Sequence, residues 1–518
     1  MTTSPTPVAP ARGAEVVALS TALLIIAAVY LPVLAEPLVA EDYQLALKAA
    51  RCAERAGELV RPFQLVWRPG IYALWAPLAG MNAPDGAFRA VQFGAGLLVT
   101  VAAWWCVRRL TGVGPWLAAA IAVVGVASPL ASEPLCGEAS FTGHLMFDAA
   151  FLAVLALSAL PRSRQRAIAL PALTLLAASF SEAWVVIPPL LLAIDRCLHD
   201  RRWHELARGA AVWALAVGAY LFAYGAVAGF HYGRFYGAGA GELAAKAAYT
   251  MAALAHVVPP LAWQFGAAVR EAPLPVALGL AVVVLAAAAA WWLRVTPALV
   301  LLGGAVLTLL PTLDNAGQAG RWTLLPNVMV LAAAAATLRA ALRRLPARRK
   351  LAIALAVLLA GVGVHDALEA RRDVVDWGRL AALTARLQLE VAPLLAEVRA
   401  GRALMVLRGD DGAPWRDLVS TPQGQAKFYF PRPDDPYGIV SLSAFLTWRT
   451  CGEGLAVVRV STLPSGGVRT FLHTLGGFTA LGGVPPIEVR HPGSAGRGFP
   501  GVILAPVPWR EFAPREFP

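Results

Sequence analysis

The sequence predicts an all-α polytopic membrane protein with a small extracytoplasmic α/β or α+β domain at its C-terminal end. Three observations carry that prediction. The 518 residues are 58% hydrophobic and only 15% charged, with mean hydropathy +0.61, more apolar surface than one water-soluble core uses. Apolar runs recur at lengths near the roughly 20 residues with which a helix crosses about 30 Å of hydrocarbon. Beyond about Asp366 the hydropathy falls, and short β-like runs such as "ALMVLRG", "LAVVRVST" and "GVILAPVPW" alternate with Gly/Pro turns.

Residues 1–14 read as a short disordered leader, because "MTTSPTPVAPARG" has too little apolar surface to fold. The run 15–36 lacks a small-residue cleavage site and ends in an interfacial Tyr30–Pro37 stretch, so it is expected to be a retained first helix. A first outer loop, 37–85, follows. Further spans are expected near 86–107, 115–132, 144–160, 166–180, 183–196, 207–230, 274–293, 296–311, 322–342 and 350–366, about 11 transmembrane helices in all. The stretch 247–268 carries His256, Pro259, Pro260 and Gln264, which favours a re-entrant or surface helix over a crossing.

Short basic loops stay in the cytoplasm. Arg108-Arg109, "PRSRQR", "DRCLHDRRWHELAR", Arg294 and "RAALRRLPARRK" all fall inside if the N-terminus is cytoplasmic and 247–268 does not cross. The domain at 367–518, opening with the amphipathic "VVDWGRLAALTARLQLEVAPLLAEVRA", then lies outside. Most of the net charge of +12 is accounted for as topology signal, and no nucleic-acid partner is needed to explain it. The five cysteines show no metal spacing and read as unpaired structural thiols. No P-loop, GxSxG or HExxH is present.

The polar residues of the outer loops carry the functional reading. Glu41 and Asp42 follow the first span, Arg68 lies in "WRPG", Glu138 and His144 open the fourth span, Glu182 sits between two apolar runs, Arg234 lies in "HYGRFYG", and Arg321 opens the tenth span. Ionisable groups at membrane depth cost several kcal/mol unless paired or wetted, so together they are expected to line one polar cavity open to the outside. Carboxylates with arginines suit the transfer of a sugar from a polyprenyl phosphate. Its leaving group is already good, so the catalyst needs a base for the acceptor hydroxyl and cations for the phosphate. Adjacent helical residues point about 100° apart, so Glu41 and Asp42 are expected to divide the work, one catalytic and one orienting.

In that order these motifs resemble the GT-C superfamily, the membrane glycosyltransferases that use polyprenyl- or dolichyl-phosphate sugars, among them the protein mannosyltransferases. The acidic pair in "EDYQ" is similar to that of the family's first outer loop, where an aspartate is the base or a nearby site residue. "WRPG" resembles an aromatic-Arg-Pro step, "GEASFTGH" the Glu-containing start of a later helix, "LLAASFSEAWVVIPPLLLAID" a Ser-Lys-Glu segment followed by a Pro-containing span, and "RWTLLP" an Arg-Tyr-x-x-x-Pro step. The resemblance covers about residues 10–345. It implies a GT-C-like fold, Asp42 and Glu41 in catalysis, and Arg68, Glu138, His144, Glu182 and Arg321 in substrate and phosphate binding; Arg234, in the aromatic-basic outer loop with Tyr232 and Tyr236, is read from the residues alone as a phosphate or acceptor contact, with an interfacial belt as the alternative. The resemblance also implies a polyprenyl-phosphate-linked donor and a lipid, glycan or protein acceptor. Some relatives hold a divalent cation between carboxylates, which here points to Asp42 with Glu138. The Ala/Arg-rich composition fits a bacterial inner membrane. Phe180-Ser181-Glu182 lacks the lysine, and Trp322 stands where tyrosine is common. Two alternatives stay open: a transporter or flippase of amphiphilic substrates, which also needs a polar cavity, and a non-catalytic subunit on the same scaffold, to which the missing lysine points.

Overall fold

The computed structural model describes residues 12–38, 42–62, 67–161, 163–228, 240–255, 273–310, 320–344 and 348–399, and the strands 404–409, 457–462, 468–474, 477–480 and 502–505. The helices are α1 (Arg12–Tyr30), α2 (Asp42–Glu54), α3 (Pro69–Gly80), α4 (Asp85–Thr111), α5 (Pro115–Val126), α6 (Ser132–Cys136), α7 (Thr142–Ser158), α8 (Arg164–Phe180), α9 (Ile187–His199), α10 (Trp203–Ala228), α11 (Ala240–Leu254), α12 (Pro273–Trp292), α13 (Thr296–Leu309), α14 (Gly320–Leu342) and α15 (Arg348–Arg399).

The core forms around α7, which packs against α4, α8, α9 and α14. Its "TGHLMFDAAFLAVLALS" is apolar nearly all round, and most of its side chains are buried, as expected of a helix enclosed by others. By contrast, α10 and α12 leave Leu215, Phe222, Leu285 and Trp292 exposed, the pattern of helices facing lipid. Where helices meet closely, small residues permit it. Helix α4 ends at Gly112, whose φ of 64° forms a left-handed cap with its N–H on the Arg108 carbonyl. There Arg339 of α14 reaches over to donate to the Thr111 carbonyl at 2.7 Å.

Polar contacts separate to the two ends of the bundle. At one end Arg108 pairs with Glu15 at 2.6 Å, while Arg166 and Arg201 hold Asp195 at 3.1 and 2.8 Å. Arg89 lies nearly 20 residues back along α4 from Arg108, about 28 Å at 1.5 Å per residue, and belongs to the other end.

Each of the eleven expected spans coincides with a helix, but the count of eleven crossings is not established. Among the described residues six helical segments are long and apolar enough to cross: Gly13–Ala35, Asp85–Thr111, Ala139–Ser158, Trp203–Val227, Pro273–Trp292 and Trp322–Leu342. Helices α5 and α13 are apolar but have only 12 and 14 residues, about 18 and 21 Å, short of the hydrocarbon thickness. Helix α8 starts on two arginines and carries Pro171, and α9 has 13 residues. The expected span at 350–366 and the amphipathic stretch after it form one 52-residue helix, α15, without a break at residue 366. The proposed surface segment 247–268 is helical to Leu254 and packs on α12 and α14; residues 256–268 lie outside the described residues.

In the tail, the three β-like runs each contain a strand. β1 (Leu404–Gly409) pairs in parallel with β2 (Val457–Thr462) and antiparallel with β5 (Val502–Ala505). β3 (Val468–Thr474) and β4 (Gly477–Ala480) extend the sheet antiparallel, in the order β4-β3-β2-β1-β5. Cys52, Cys106, Cys136 and Cys197 are unpaired thiols; Cys451 lies outside the described residues.

The contact of α11 with α12 rests on Gly279. A Cβ there would stand 2.6 to 2.9 Å from the side chain, Cα and carbonyl oxygen of Ala252, so a larger residue must push two backbones apart. Gly279→Leu is expected to destabilise the protein by about 1–3 kcal/mol. Gly218→Leu, at a position open on α10, should leave the thermal melt in detergent nearly unchanged.

Candidate functional site

Arg68 is fixed by its neighbours in the chain. Pro69 starts α3 directly after it, the first-turn position that proline favours. Gly70 lets α3 abut the end of α8: a Cβ on it would come within 2.5 Å of Ser179 Oγ and 2.9 Å of the Ser179 carbonyl oxygen. That close approach sets Arg68 against Glu182, which follows the helix stop at Ser181. The Ser181 hydroxyl accepts from the Ala183 N–H at 3.2 Å and starts the next turn. The result is a two-pronged pair, Arg68 Nε to Glu182 Oε2 at 3.1 Å and Nη2 to Oε1 at 2.7 Å. Both side chains keep 15–18% of their surface in solvent. His144 Nε2 stands 3.4 Å from Arg68 Nη1, and its ring meets Trp322 edge to face at 4.6 Å. Behind the pair lie Trp67, Trp184, Tyr220 and Tyr224.

A second polar group lies deeper and is closed. Asp42, fully buried, accepts from the Ser140 N–H at 2.7 Å through Oδ1. Its Oδ2 is 4.0 Å from Nη2 of Arg89, whose side chain is 1% exposed. Arg89 also donates to the Pro37 carbonyl at 2.7 Å, to Gln92 Oε1 at 3.0 Å, and to the Gly137 carbonyl. Gln92 donates in turn to the Pro134 and Glu138 carbonyls, each at 3.0 Å. Ser140 Oγ approaches Glu138 Oε2 at 3.4 Å, and Ser132 donates to Asp373 of α15. The turn from α6 to α7 is therefore held by an aspartate of α2 and by an arginine and a glutamine of α4. Glu36, beside Pro37, has one enclosed carboxylate oxygen without a hydrogen-bond partner. Burial lifts its carboxyl from the ordinary 4.5 to about 7, with Arg89 pulling the other way.

Of the residues expected from the sequence, Arg68, His144 and Glu182 meet directly, and Asp42 and Glu138 meet through Ser140. Arg321 is in the first turn of α14, next to the Trp322 that touches His144; its side chain lies outside the described residues, as do Glu41 and Arg234. Among the described residues no group of three or more His, Cys, Asp or Glu stands ready to hold a metal. Between Asp42 and Glu138, the pair suggested for a cation, stands Ser140: its N–H donates to Asp42 Oδ1 at 2.7 Å and its hydroxyl lies 3.4 Å from Glu138 Oε2, with the Arg89 guanidinium 4.0 Å from Asp42 Oδ2.

Sequence reasoning missed Arg89 and Gln92, which lie within the expected span 86–107. Their signal was available: with Asp85 they recur at i, i+4 and i+7, one face of a helix, and polar residues inside a span face the bundle.

Two outcomes follow from this geometry. Arg89→Leu takes a buried cation away from Asp42 and its donors from the Pro37 and Gly137 carbonyls and Gln92 Oε1, so it is expected to cost about 3–5 kcal/mol and to lower the thermal melt more than Arg61→Leu, which loses only a pair whose arginine is 72% exposed. For Glu36, the folded chain holds its proton between pH 4.5 and about 7, where the unfolded chain has released it. The stability this group contributes is complete below pH 4.5 and is lost as pH rises to about 7. Melts across pH 5–7.5 should show a decline in the wild type that Glu36→Gln lacks.

No family model matches the chain, and no curated protein matches it. Among solved structures it is similar to the crystal structure of ArnT from Cupriavidus metallidurans bound to undecaprenyl phosphate, at 13% identity and a TM-score of 0.42, over 88% of this chain and 94% of that one. A likeness of that size carries no argument about this chain, and the functional reading rests on the residues just described.

Proposed function

We propose that the chain is an integral-membrane glycosyltransferase of GT-C type. It moves a sugar, with inversion, from a polyprenyl-phosphate donor to a lipid, glycan or protein acceptor at the outer face of a bacterial inner membrane. One observation supports this most: Arg68, His144 and Glu182, 76 and 114 residues apart from Arg68 in sequence, meet in a half-open, aromatic-walled position at one end of a membrane bundle. The N-terminus and the basic loops lie in the cytoplasm in this reading, and the tail lies outside.

Arg68 is the phosphate ligand in this reading. Its two-pronged fork already binds a carboxylate, and the same fork fits phosphate oxygens. A lipid phosphate arriving from the membrane takes the place of Glu182 on the guanidinium and leaves that carboxylate facing the acceptor. Arg321 adds a second cation from the start of α14, and Arg234 a third. Asp42 accepts the acceptor's proton, the acceptor oxygen attacks the anomeric carbon from the face opposite the phosphate, and polyprenyl phosphate leaves.

A second assignment on the same scaffold is favoured by the complete burial of Asp42. With its oxygens on Ser140 and near Arg89, Asp42 is then a lock, and Glu182, which keeps 15% of its side chain in solvent, is the base. Sugar transfer from a labelled polyprenyl-phosphate donor in detergent separates the two. If Asp42 is the base, Asp42→Asn loses about 10²–10⁴ in turnover at little change in donor affinity. Near-normal transfer by Asp42→Asn, with loss in Glu182→Gln, moves the base to Glu182. Arg68→Ala is expected to weaken donor binding in either case. Wild-type protein that transfers none of a panel of donor sugars leaves the non-catalytic or transport alternative.

A further inference from the structure

Beside the Arg68–Glu182 pair, three hydrogen-bonding groups are enclosed and have no partner: Trp184 Nε1, Tyr220 Oη and Tyr224 Oη. They come from two segments. Trp184 is in the turn Glu182–Val186, and the tyrosines are one helical turn apart on α10. Their rings nevertheless form one group, Trp184 to Tyr220 at 5.1 Å and 90°, Tyr220 to Tyr224 at 5.9 Å, with Trp67 stacked on Tyr220 at 6.3 Å and 20°. The Trp184 side chain and the Trp67 backbone lie near the two hydroxyls without hydrogen-bond geometry, and both hydroxyls feel the charges of Glu182 and Arg68.

An enclosed hydroxyl or indole N–H without a partner costs about 1–3 kcal/mol, and natural proteins leave few such groups. Phenylalanine would fill the same space at either tyrosine without that cost. Three of these groups together, against a half-open ion pair, call for a ligand that is polar at its edges and apolar on its faces. The position on α10 sharpens this. That helix is otherwise exposed to lipid along nearly its whole length, yet Tyr220 and Tyr224 turn inward, toward Trp67 and Trp184.

We propose that Trp184, Tyr220 and Tyr224 form a carbohydrate subsite adjoining Arg68, in which the C–H face of a pyranose or pentose ring lies on the aromatic rings and its hydroxyls pair with Trp184 Nε1 and the two tyrosine hydroxyls. This rests on the glycosyl-transfer reading and deepens it, because the arginine holds the phosphate and the aromatic group selects the sugar. The ring belongs to the donor or to the acceptor; the chemistry of recognition is the same.

The test uses full-length protein in detergent and equilibrium binding of three probes: undecaprenyl phosphate, a panel of undecaprenyl-phosphate monosaccharides, and the corresponding methyl glycosides. Tyr220→Phe/Tyr224→Phe removes only hydroxyls that have no partner in the fold, so its thermal melt should match or exceed that of the wild type. The expected result is a loss of about tenfold or more in affinity for the best-bound sugar lipid, at one to two hydrogen bonds lost, with undecaprenyl phosphate bound within twofold of wild type. Arg68→Ala should weaken both lipids. If the double variant loses methyl glycoside binding while the sugar lipids are unaffected, the subsite takes the acceptor's ring. Unchanged binding of every probe would overturn the subsite and leave the hydroxyls to water, and equal loss for lipids with and without sugar would assign the tyrosines to the phosphate. A wild type that binds no sugar lipid better than undecaprenyl phosphate, and no methyl glycoside, would remove the donor reading and the subsite with it.

Discussion

A guanidinium placed almost without solvent at the end of a membrane bundle sets the rest of the structure. Taking Arg89 out of water costs several kcal/mol, and the fold offsets that by surrounding the group with acceptors from distant parts of the chain: Pro37 before α2, Asp42 in α2, Gln92 on its own helix and Gly137 in the turn before α7. Each of those acceptors is thereby fixed in place. The turn 137–141 has only one short 3-10 helix, Ala139–Phe141, yet it must start α7, the central helix. Gln92 and Asp42 supply what it lacks by receiving or donating to Pro134, Glu138 and Ser140. The start of α7, and so the position of His144, depends on a cation about 50 residues earlier.

That closed floor makes sense of the half-open pair above it. Arg68 and Glu182 both lie at helix boundaries, Arg68 directly before Pro69 of α3 and Glu182 as the first residue of the 3-10 turn Glu182–Val186. Their placement comes from the contact of Gly70 with Ser179 and from His144, which the floor positions. A site that must release one anion to accept another is served by this division. The Asp42–Arg89 approach, at 4.0 Å, is sealed from solvent, while the two-pronged Arg68–Glu182 pair keeps 15–18% of its side-chain surface in solvent, the access that an exchange of anions needs.

How much of this could be read in the sequence differs between the two layers. Arg68, His144 and Glu182 were legible because each breaks an apolar pattern at a span boundary, where an ionisable residue stands out against its neighbours. Arg89 and Gln92 sit one and two turns inside the same kind of segment, and there hydropathy averages them away over a window that also contains Phe88, Ala90 and Val91. The aromatic group was hidden for another reason. Tyr220 and Tyr224 look like interfacial belt residues, and only their inward direction on a lipid-facing helix and their unpaired hydroxyls distinguish them. Helices lie where the crossings were expected, but apolar composition does not reveal that α5 and α13 have only 12 and 14 residues, about two-thirds of the bilayer's thickness.

Helix α15 binds the two layers to the rest of the chain. Sequence places a boundary at residue 366, where hydropathy drops, yet the helix continues, and its residues just past that point are buried: Ala370, Asp373, Val374, Trp377 and Ala381. Asp373 takes the Ser132 hydroxyl, and Trp377 fills the space beside Gly137, where a Cβ would stand 3.0 Å from its ring. Both contacts fall on α6 and the turn before α7, the same turn that Arg89 and Gln92 hold from the opposite side. The drop in hydropathy therefore marks where the helix exchanges lipid for protein as its neighbour, not where it ends. A shift of α15 along its axis would move Trp377 against Gly137 and, through Glu138 and Ser140, the contacts of Asp42. Helix α15 thus joins α2 and α4 in contacting the floor of the site, and the five strands follow it in sequence.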